Sequence, residues 1–275
     1  MAKKYAGKTV WITGGGSGIG RALAVEYGRQ GATVAVSGRR SQPLEETLQQ
    51  IEKVGGVGLK LICDVTDEEA LEETMKDIIS QTGRLDVVVA NAGFGVGGRL
   101  EDLDWEDWRR QFDVNVFGLM MTVKVALPHL RKTRGRIGLM GSVAGTVGVP
   151  NSGAYSASKF AVRGIGQVLT AEHAAEGISC TTLLPGCVES DIARVDNQGR
   201  SHEDWEDRRP AALMWPADRA ARAMVRAIDR RTTEAVITGH GKVATFFANH
   251  APRLTQNLMA RAGQNVRKKQ DQIEE

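Results

Sequence analysis

Short apolar runs alternate along the chain with stretches whose apolar residues recur at helical spacing. Residues 9–13 (TVWIT), 32–37 (ATVAVS), 58–63, 85–90 (LDVVVA), 136–140 and 178–184 read as buried strands, and 235–238 as a seventh. Between them the pattern predicts helices from the first glycine cluster to Gln30, and over 43–54, 67–81, 105–130, 152–176 and 216–229. Asp67 stands at a helix start with acids directly after it, as an N-cap should.

Strand–helix alternation of this kind predicts an α/β fold. We expect a single doubly wound domain, with a parallel sheet of about seven strands and helices on both faces. No low-complexity linker or internal repeat divides the chain. Residues 1–240 are expected to form this domain, and 241–275 a helical basic extension. In such a fold ligands bind at the carboxyl ends of the strands. Gly14, Arg39, Asp64, Asn91, Ser142 and Pro185 each follow a predicted strand.

Composition narrows the classes. Among 275 residues, 41% are hydrophobic and 25% charged, as in soluble globular proteins. A net charge of +3 gives no field suited to nucleic acid. Cys63, Cys180 and Cys187 lack metal-ligand spacing, so no metal is expected, and their scatter reads as reduced thiols in a cytoplasmic protein. No apolar run is long enough to span a bilayer. The 32 glycines are many for this length, and they cluster.

The first cluster is Thr13-Gly14-Gly15-Gly16-Ser17-Gly18-Ile19-Gly20, between the first strand and first helix. Glycines there let backbone approach a pyrophosphate, and the helix N-terminus offers free N–H groups. The spacing is T-G-x-x-x-G-x-G rather than G-x-G-x-x-G. The second strand ends in Ser37-Gly38-Arg39-Arg40, where NAD-binding folds usually carry an acid. Guanidinium groups suit a ribose 2′-phosphate. NADP(H) is therefore the expected cofactor, with NAD(H) the alternative.

Tyr155 and Lys159 are four residues apart on a predicted helix and share one face. Ser142 follows the fifth strand, and Asn115 lies within the preceding helix. Hydride transfer to a carbonyl leaves an alkoxide that needs a proton. A tyrosine with a pKa of about 10 is a poor acid/base near neutrality, and a nearby ammonium lowers that value. Lys159 is placed to do so. Ser142 can donate to the oxyanion, and the Asn115 amide can hold a water linking the lysine to solvent. Ser142 and Tyr155 are thus the expected substrate contacts.

These segments together resemble the short-chain dehydrogenase/reductase family. They are TGGGSGIG at 13–20, CDVTD at 63–67, NAG at 91–93, Asn115, Ser142, YSASK at 155–159 and PG at 185–186. They keep the family's order across residues 5–240, and the length suits its shorter branch rather than the epimerase-like one. The resemblance implies a Rossmann domain and an oxidoreductase. It puts Gly14, Ser17, Gly18, Ile19 and Gly20 at the pyrophosphate, and Asp64 and Val65 beside the adenine. Asn91, Ala92 and Gly93 would line the cofactor, Pro185, Gly186 and Val188 would pack on the nicotinamide, and Lys159 would also bond its ribose. Ser190 stands where the family has a threonine for the carboxamide. Ser17 replaces a basic residue found in some NADP-preferring members. A homodimer or homotetramer through the two long helices is also implied.

By the same analogy the charged segment 191–215 is a lid over a small-molecule substrate, with Leu213, Met214 and Trp215 as candidates either for lining the pocket or for packing in the core. The 241–275 extension is basic, with Lys242, Arg253, Arg261, Arg267, Lys268 and Lys269, and has a candidate apolar face of Phe246, Phe247, Leu254, Leu258 and Met259. Packing on a neighbouring subunit is the expectation; weak peripheral membrane contact is the alternative. Rival readings of the whole chain are a non-catalytic NADP sensor and a scaffolding protein.

Overall fold

The computed structural model describes residues 3–202, 204–207 and 209–274, with side chains to residue 264. Seven parallel strands form one sheet: β1 (Thr9–Thr13), β2 (Thr33–Gly38), β3 (Val57–Ile62), β4 (Val87–Ala90), β5 (Arg136–Met140), β6 (Ser179–Leu184) and β7 (Glu234–Val236). Their order is β3-β2-β1-β4-β5-β6-β7. The helices are α1 (Gly18–Arg29), α2 (Ser41–Lys53), α3 (Glu68–Thr82), α4 (Trp105–Phe112), α5 (Leu119–Thr133), α6 (Gly153–His173), α7 (Ala217–Asp229), α8 (Gly239–His250) and α9 (Pro252–Glu274).

Every residue of β1 is buried, because both faces of a parallel sheet are covered by helices. Its side chains alternate between two cores. Val10 and Ile12 pack with Leu23 and Tyr27 of α1 and with Met224 and Ile228 of α7. Trp11 packs in the other layer with Leu71 of α3, Leu130 of α5 and Val162 of α6. The Trp11 indole N–H, which must find an acceptor when buried, donates to Ser37 Oγ at 3.0 Å. Asp67 caps α3 as expected, accepting from the Ala70 N–H at 3.0 Å.

The single helix expected over 105–130 is three segments. A π-helical turn at Asp113–Gly118 separates α4 from α5. It carries an extra residue per turn, in a stretch where Gln111 and Asn115 both bury their amides against the loop after β4. Apolar periodicity does not distinguish an α-turn from a π-turn over one turn of helix. The seventh strand is also earlier than expected. It ends at Val236, and Thr238 instead caps α8 by accepting from the Gly241 N–H.

The extension after β7 is helical. Phe246, Phe247, Leu254 and Leu258 are exposed, whereas Met259 is half-buried and so leaves the proposed apolar face. The side chains of Arg267, Lys268 and Lys269 lie outside the described residues. Among the described residues no helix is long and apolar enough to cross a membrane.

Leu23 has no exposed surface, while Val168 is 53% exposed. Leu23→Ala is expected to cost about 2–5 kcal/mol in urea unfolding. Val168→Ala should stay within about 0.5 kcal/mol of wild type. Equal losses would contradict this packing.

Candidate active site

β1 pairs with β2 on one side and β4 on the other. The connections after β1 and β4 therefore diverge, and a cleft opens at their carboxyl ends. It encloses about 580 Å³, a size typical of cofactor sites. Every residue assigned above to the cofactor lines it, as does Ser142. Asn115 does not; it lies behind the wall.

Close approach of backbone builds the cleft floor. Thr13 ties β1 to β4: its hydroxyl accepts from the N–H groups of Asn91 and Ala92 at 3.0 and 3.1 Å. The Asn91 amide donates to the Thr13 carbonyl at 2.9 Å. A Cβ on Gly14 would come within 2.9 Å of the Ala92 Cα, and one on Gly20 would collide with the Gly14 carbonyl. Only glycine fits at either position. Ser17 occupies the N-cap of α1 but makes no side-chain cap bond, so it leaves the first-turn N–H groups to a ligand. This cradle fits a pyrophosphate.

At the other end of the cleft Arg39 is exposed. Its Nη1 is 3.9 Å from Asp64, and its Nη2 donates to the Gly199 carbonyl at 3.3 Å. Arg40 lines the same region. An exposed pair at 3.9 Å holds the guanidinium weakly, so it is free to turn toward an anion.

Tyr155 and Lys159 lie on α6, with the Lys159 Nζ 5.6 Å from the centre of the Tyr155 ring. Lys159 donates to the Met140 carbonyl at 2.7 Å. Burial pushes its pKa down to about 8. Burial also raises the Tyr155 pKa, against the pull of the Ser142 hydroxyl and the Arg209 charge. This corrects the expectation that Lys159 would draw the phenol below its ordinary value. Desolvation of the phenolate outweighs the neighbouring groups, and Tyr155 is held as a neutral acid. The Ser142 hydroxyl also caps a short turn, accepting from the Ala144 N–H at 3.1 Å.

Asn115 is almost wholly buried, and both of its amide hydrogens are engaged. Its carbonyl accepts from the Phe94 N–H at 3.1 Å, and its amide donates to the Phe94 carbonyl at 3.0 Å and to Ser158 Oγ at 3.2 Å. The amide thus clamps the loop after β4 to α6, and the second lone pair of its carbonyl is the position left for the expected water. Gln111, one turn earlier, clamps the same loop through Phe94 and Val96. Gln111 and Ser158 escaped the sequence reading. The four-residue step from Gln111 to Asn115 was the available signal.

The lid also differs from expectation. Leu213 is exposed, and Trp215 packs on the core and under Arg219, so neither lines the cleft, nor does Met214. Ile192, Val195, Arg200 and Arg209 do. Glu203 and Arg208 lie outside the described residues. The lid is latched by Asn197, whose amide exchanges two 2.9 Å bonds with the Gly97 backbone. Among the described residues no cluster of His, Cys, Asp and Glu suits a metal ion.

The Lys159 pKa predicts a signature. The folded value is near 8 and the ordinary one 10.5. Between these values the unfolded chain binds more protons, so stability rises with pH. Urea unfolding from pH 7 to 10 should show wild type gaining stability relative to Lys159→Met. Parallel profiles would mean the ammonium is not desolvated.

A family model described as short chain dehydrogenase matches residues 8–201. A 3beta-hydroxysteroid dehydrogenase of Mediterraneibacter gnavus is 30% identical over 215 residues, covering 74% of this chain and 78% of its own. A hydroxynaphthalene reductase of Aspergillus fumigatus is 33% identical over 190 residues, 69% of each chain. The solved alcohol dehydrogenase of Thermococcus sibiricus, complexed with 5-hydroxy-NADP, superposes with a TM-score of 0.73 at 28% identity, over 84% of this chain and 96% of its own. A Burkholderia phymatum short chain dehydrogenase/reductase in complex with NAD shares the fold, with a TM-score of 0.82 at 24% identity, over 91% and 96%. The chain belongs to the short-chain dehydrogenase/reductase family of oxidoreductases.

Proposed function

We propose that this protein is an NADP(H)-dependent oxidoreductase that interconverts a carbonyl and a secondary alcohol, with Tyr155 as acid/base. The observation that carries this reading is the convergence of Tyr155, Lys159 and Ser142 in the cleft that also holds the glycine turn.

The nicotinamide cofactor supplies or takes up the hydride. The chain's residues handle the proton and the charge. Ser142 donates a hydrogen bond to the substrate oxygen as negative charge builds on it. Tyr155, kept protonated by burial, gives its phenolic proton to that oxygen during reduction. The phenolate left behind is stabilised by the Lys159 ammonium, which at a pKa of about 8 is still mostly charged at neutral pH. In oxidation the same proton returns to Tyr155. Asn115 and Gln111 act by holding the loop after β4 against α6.

Arg39 and Arg40 support the preference for NADP(H), since they would offer a 2′-phosphate two guanidinium groups, with no acid at the end of β2. Relatives named for hydroxysteroids, hydroxynaphthalene and butanediol all act on a hydroxyl or carbonyl carbon. A homodimer or homotetramer fits the exposed Phe117, Phe160 and Val168 near the π-turn and on α6.

Tyr155→Phe is expected to lower kcat for NADPH-dependent reduction of a carbonyl panel by about 10²–10⁴-fold, with cofactor binding nearly unchanged. Unchanged turnover would refute the mechanism, and no turnover by wild type on any member of the panel would favour a sensor or scaffold. Cofactor titrations of wild type should give a lower Kd for NADPH than for NADH. Arg39→Ala should remove most of that difference, and tighter binding of NADH by wild type would overturn the preference.

A further inference from the structure

The lid carries a cation whose place the substrate-lid reading does not use. Arg209 lines the cofactor cleft. Its guanidinium forks onto Asp207 through Nε and Nη2, at 2.9 and 2.6 Å. The same Nη2 reaches the Ser190 carbonyl and hydroxyl at 3.4 and 3.3 Å. Among the described residues, Nη1 makes no hydrogen bond. A guanidinium held by a carboxylate along one edge presents its other edge in a set direction.

The contact with Ser190 matters because of what Ser190 touches. Ser190 lies against the phosphate turn: its Cβ is 3.0 Å from where a Gly18 Cβ would stand. Arg209 is therefore one side chain away from the N–H groups at the start of α1. It is also near enough to Tyr155 and Cys187 for its charge to act on both.

Charge balance points the same way. A dinucleotide pyrophosphate brings two negative charges to the glycine turn. Ser17 supplies no cation there. Arg21 is turned onto the Gly16 carbonyl, Thr47 and Glu46. Arg39 and Arg40 stand at the adenosine end, and Lys159 is tied to the Met140 carbonyl. The lid adds Arg200 and Arg209 to the cleft lining, and of these Arg209 is the one bonded to Ser190 beside the glycine turn.

We propose that Arg209 binds the cofactor pyrophosphate, so that the lid serves the cofactor as well as the substrate. The lid is built for that span. Its turn at Asp196–Arg200 is held by the Asp196 carboxylate, which accepts from the Gln198 and Arg200 N–H groups at 3.0 and 2.8 Å. That turn reaches Arg39 through the Gly199 carbonyl at one end of the cleft. Arg209 reaches Ser190 beside the glycine turn. The inference rests on the nicotinamide cofactor but not on which of the two forms is used, because both carry the pyrophosphate.

The test is direct binding by calorimetry with the full chain, using wild type, Arg209→Ala, Arg209→Lys and Arg39→Ala. ADP-ribose carries the pyrophosphate without the nicotinamide or 2′-phosphate; adenosine 2′-monophosphate carries the 2′-phosphate without the pyrophosphate or nicotinamide. Arg209→Ala should raise the Kd for ADP-ribose, NADPH and NADH alike by about tenfold or more. It should leave adenosine 2′-monophosphate unchanged, and Arg209→Lys should recover part of the loss. Arg39→Ala should weaken adenosine 2′-monophosphate and NADPH only. If Arg209→Ala binds ADP-ribose as wild type does but raises the KM for the carbonyl substrate, Arg209 is a substrate ligand and the proposal fails. If Arg39→Ala leaves NADPH binding unchanged, the NADP preference fails while the Arg209 assignment stands or falls on its own arms. Thermal unfolding of each variant separates these losses from misfolding.

Discussion

The carboxyl ends of β1 and β4 lie so close that no side chain fits between them. Gly14 sits against the Ala92 backbone, Gly20 against the Gly14 carbonyl, and the Thr13 hydroxyl joins the two strand ends. Everything in the cleft is positioned from this contact. It brings the start of α1 to the sheet's switch point, and it sets the path of the loop after β4. That loop in turn forms the wall against which Tyr155 stands, with its ring about 3.5 Å from a Cβ placed on Gly95.

A second layer of buried polar groups holds that loop. Gln111 and Asn115 supply four hydrogen bonds to the backbone of residues 94 and 96, and Asn115 extends the network to Ser158 on α6. Buried networks of this kind are stabilising only when each member is satisfied. Here the π-turn allows it, by setting both amides on the inner face. α6 and the loop after β4 are thereby fixed to each other, as the proposed proton transfer requires.

Burial sets the charge states at the centre. Low dielectric disfavours the Tyr155 phenolate and the Lys159 ammonium together. A neutral acid next to a weakened base is suited to passing one proton to a nascent alkoxide. It is less suited to holding a standing phenolate, which is what a tyrosine beside a lysine suggests when only spacing is considered. The Arg209 charge, arriving from the lid, adds a positive field at Tyr155 from outside α6.

Periodicity and motif spacing alone determined the sheet, the helices and the identity of the cleft. Strand burial and helix amphipathicity are local properties that residues such as Val10, Ile12 and Leu23 display in their order along the chain. The glycine turn, Ser142, Tyr155 and Lys159 were legible because their chemistry demands those residue types at those intervals. Tertiary structure alone decided what depends on distant partners. It broke helix 105–130 with a π-turn, because Asn115 had Phe94 and Ser158 to meet. It raised rather than lowered the Tyr155 pKa, because burial depends on everything packed around the ring. It took Trp215 out of the pocket and put Arg209 into it, because the path of a loop is set by the surfaces it lands on. No spacing in the sequence records where Ser190 and Gly18 touch.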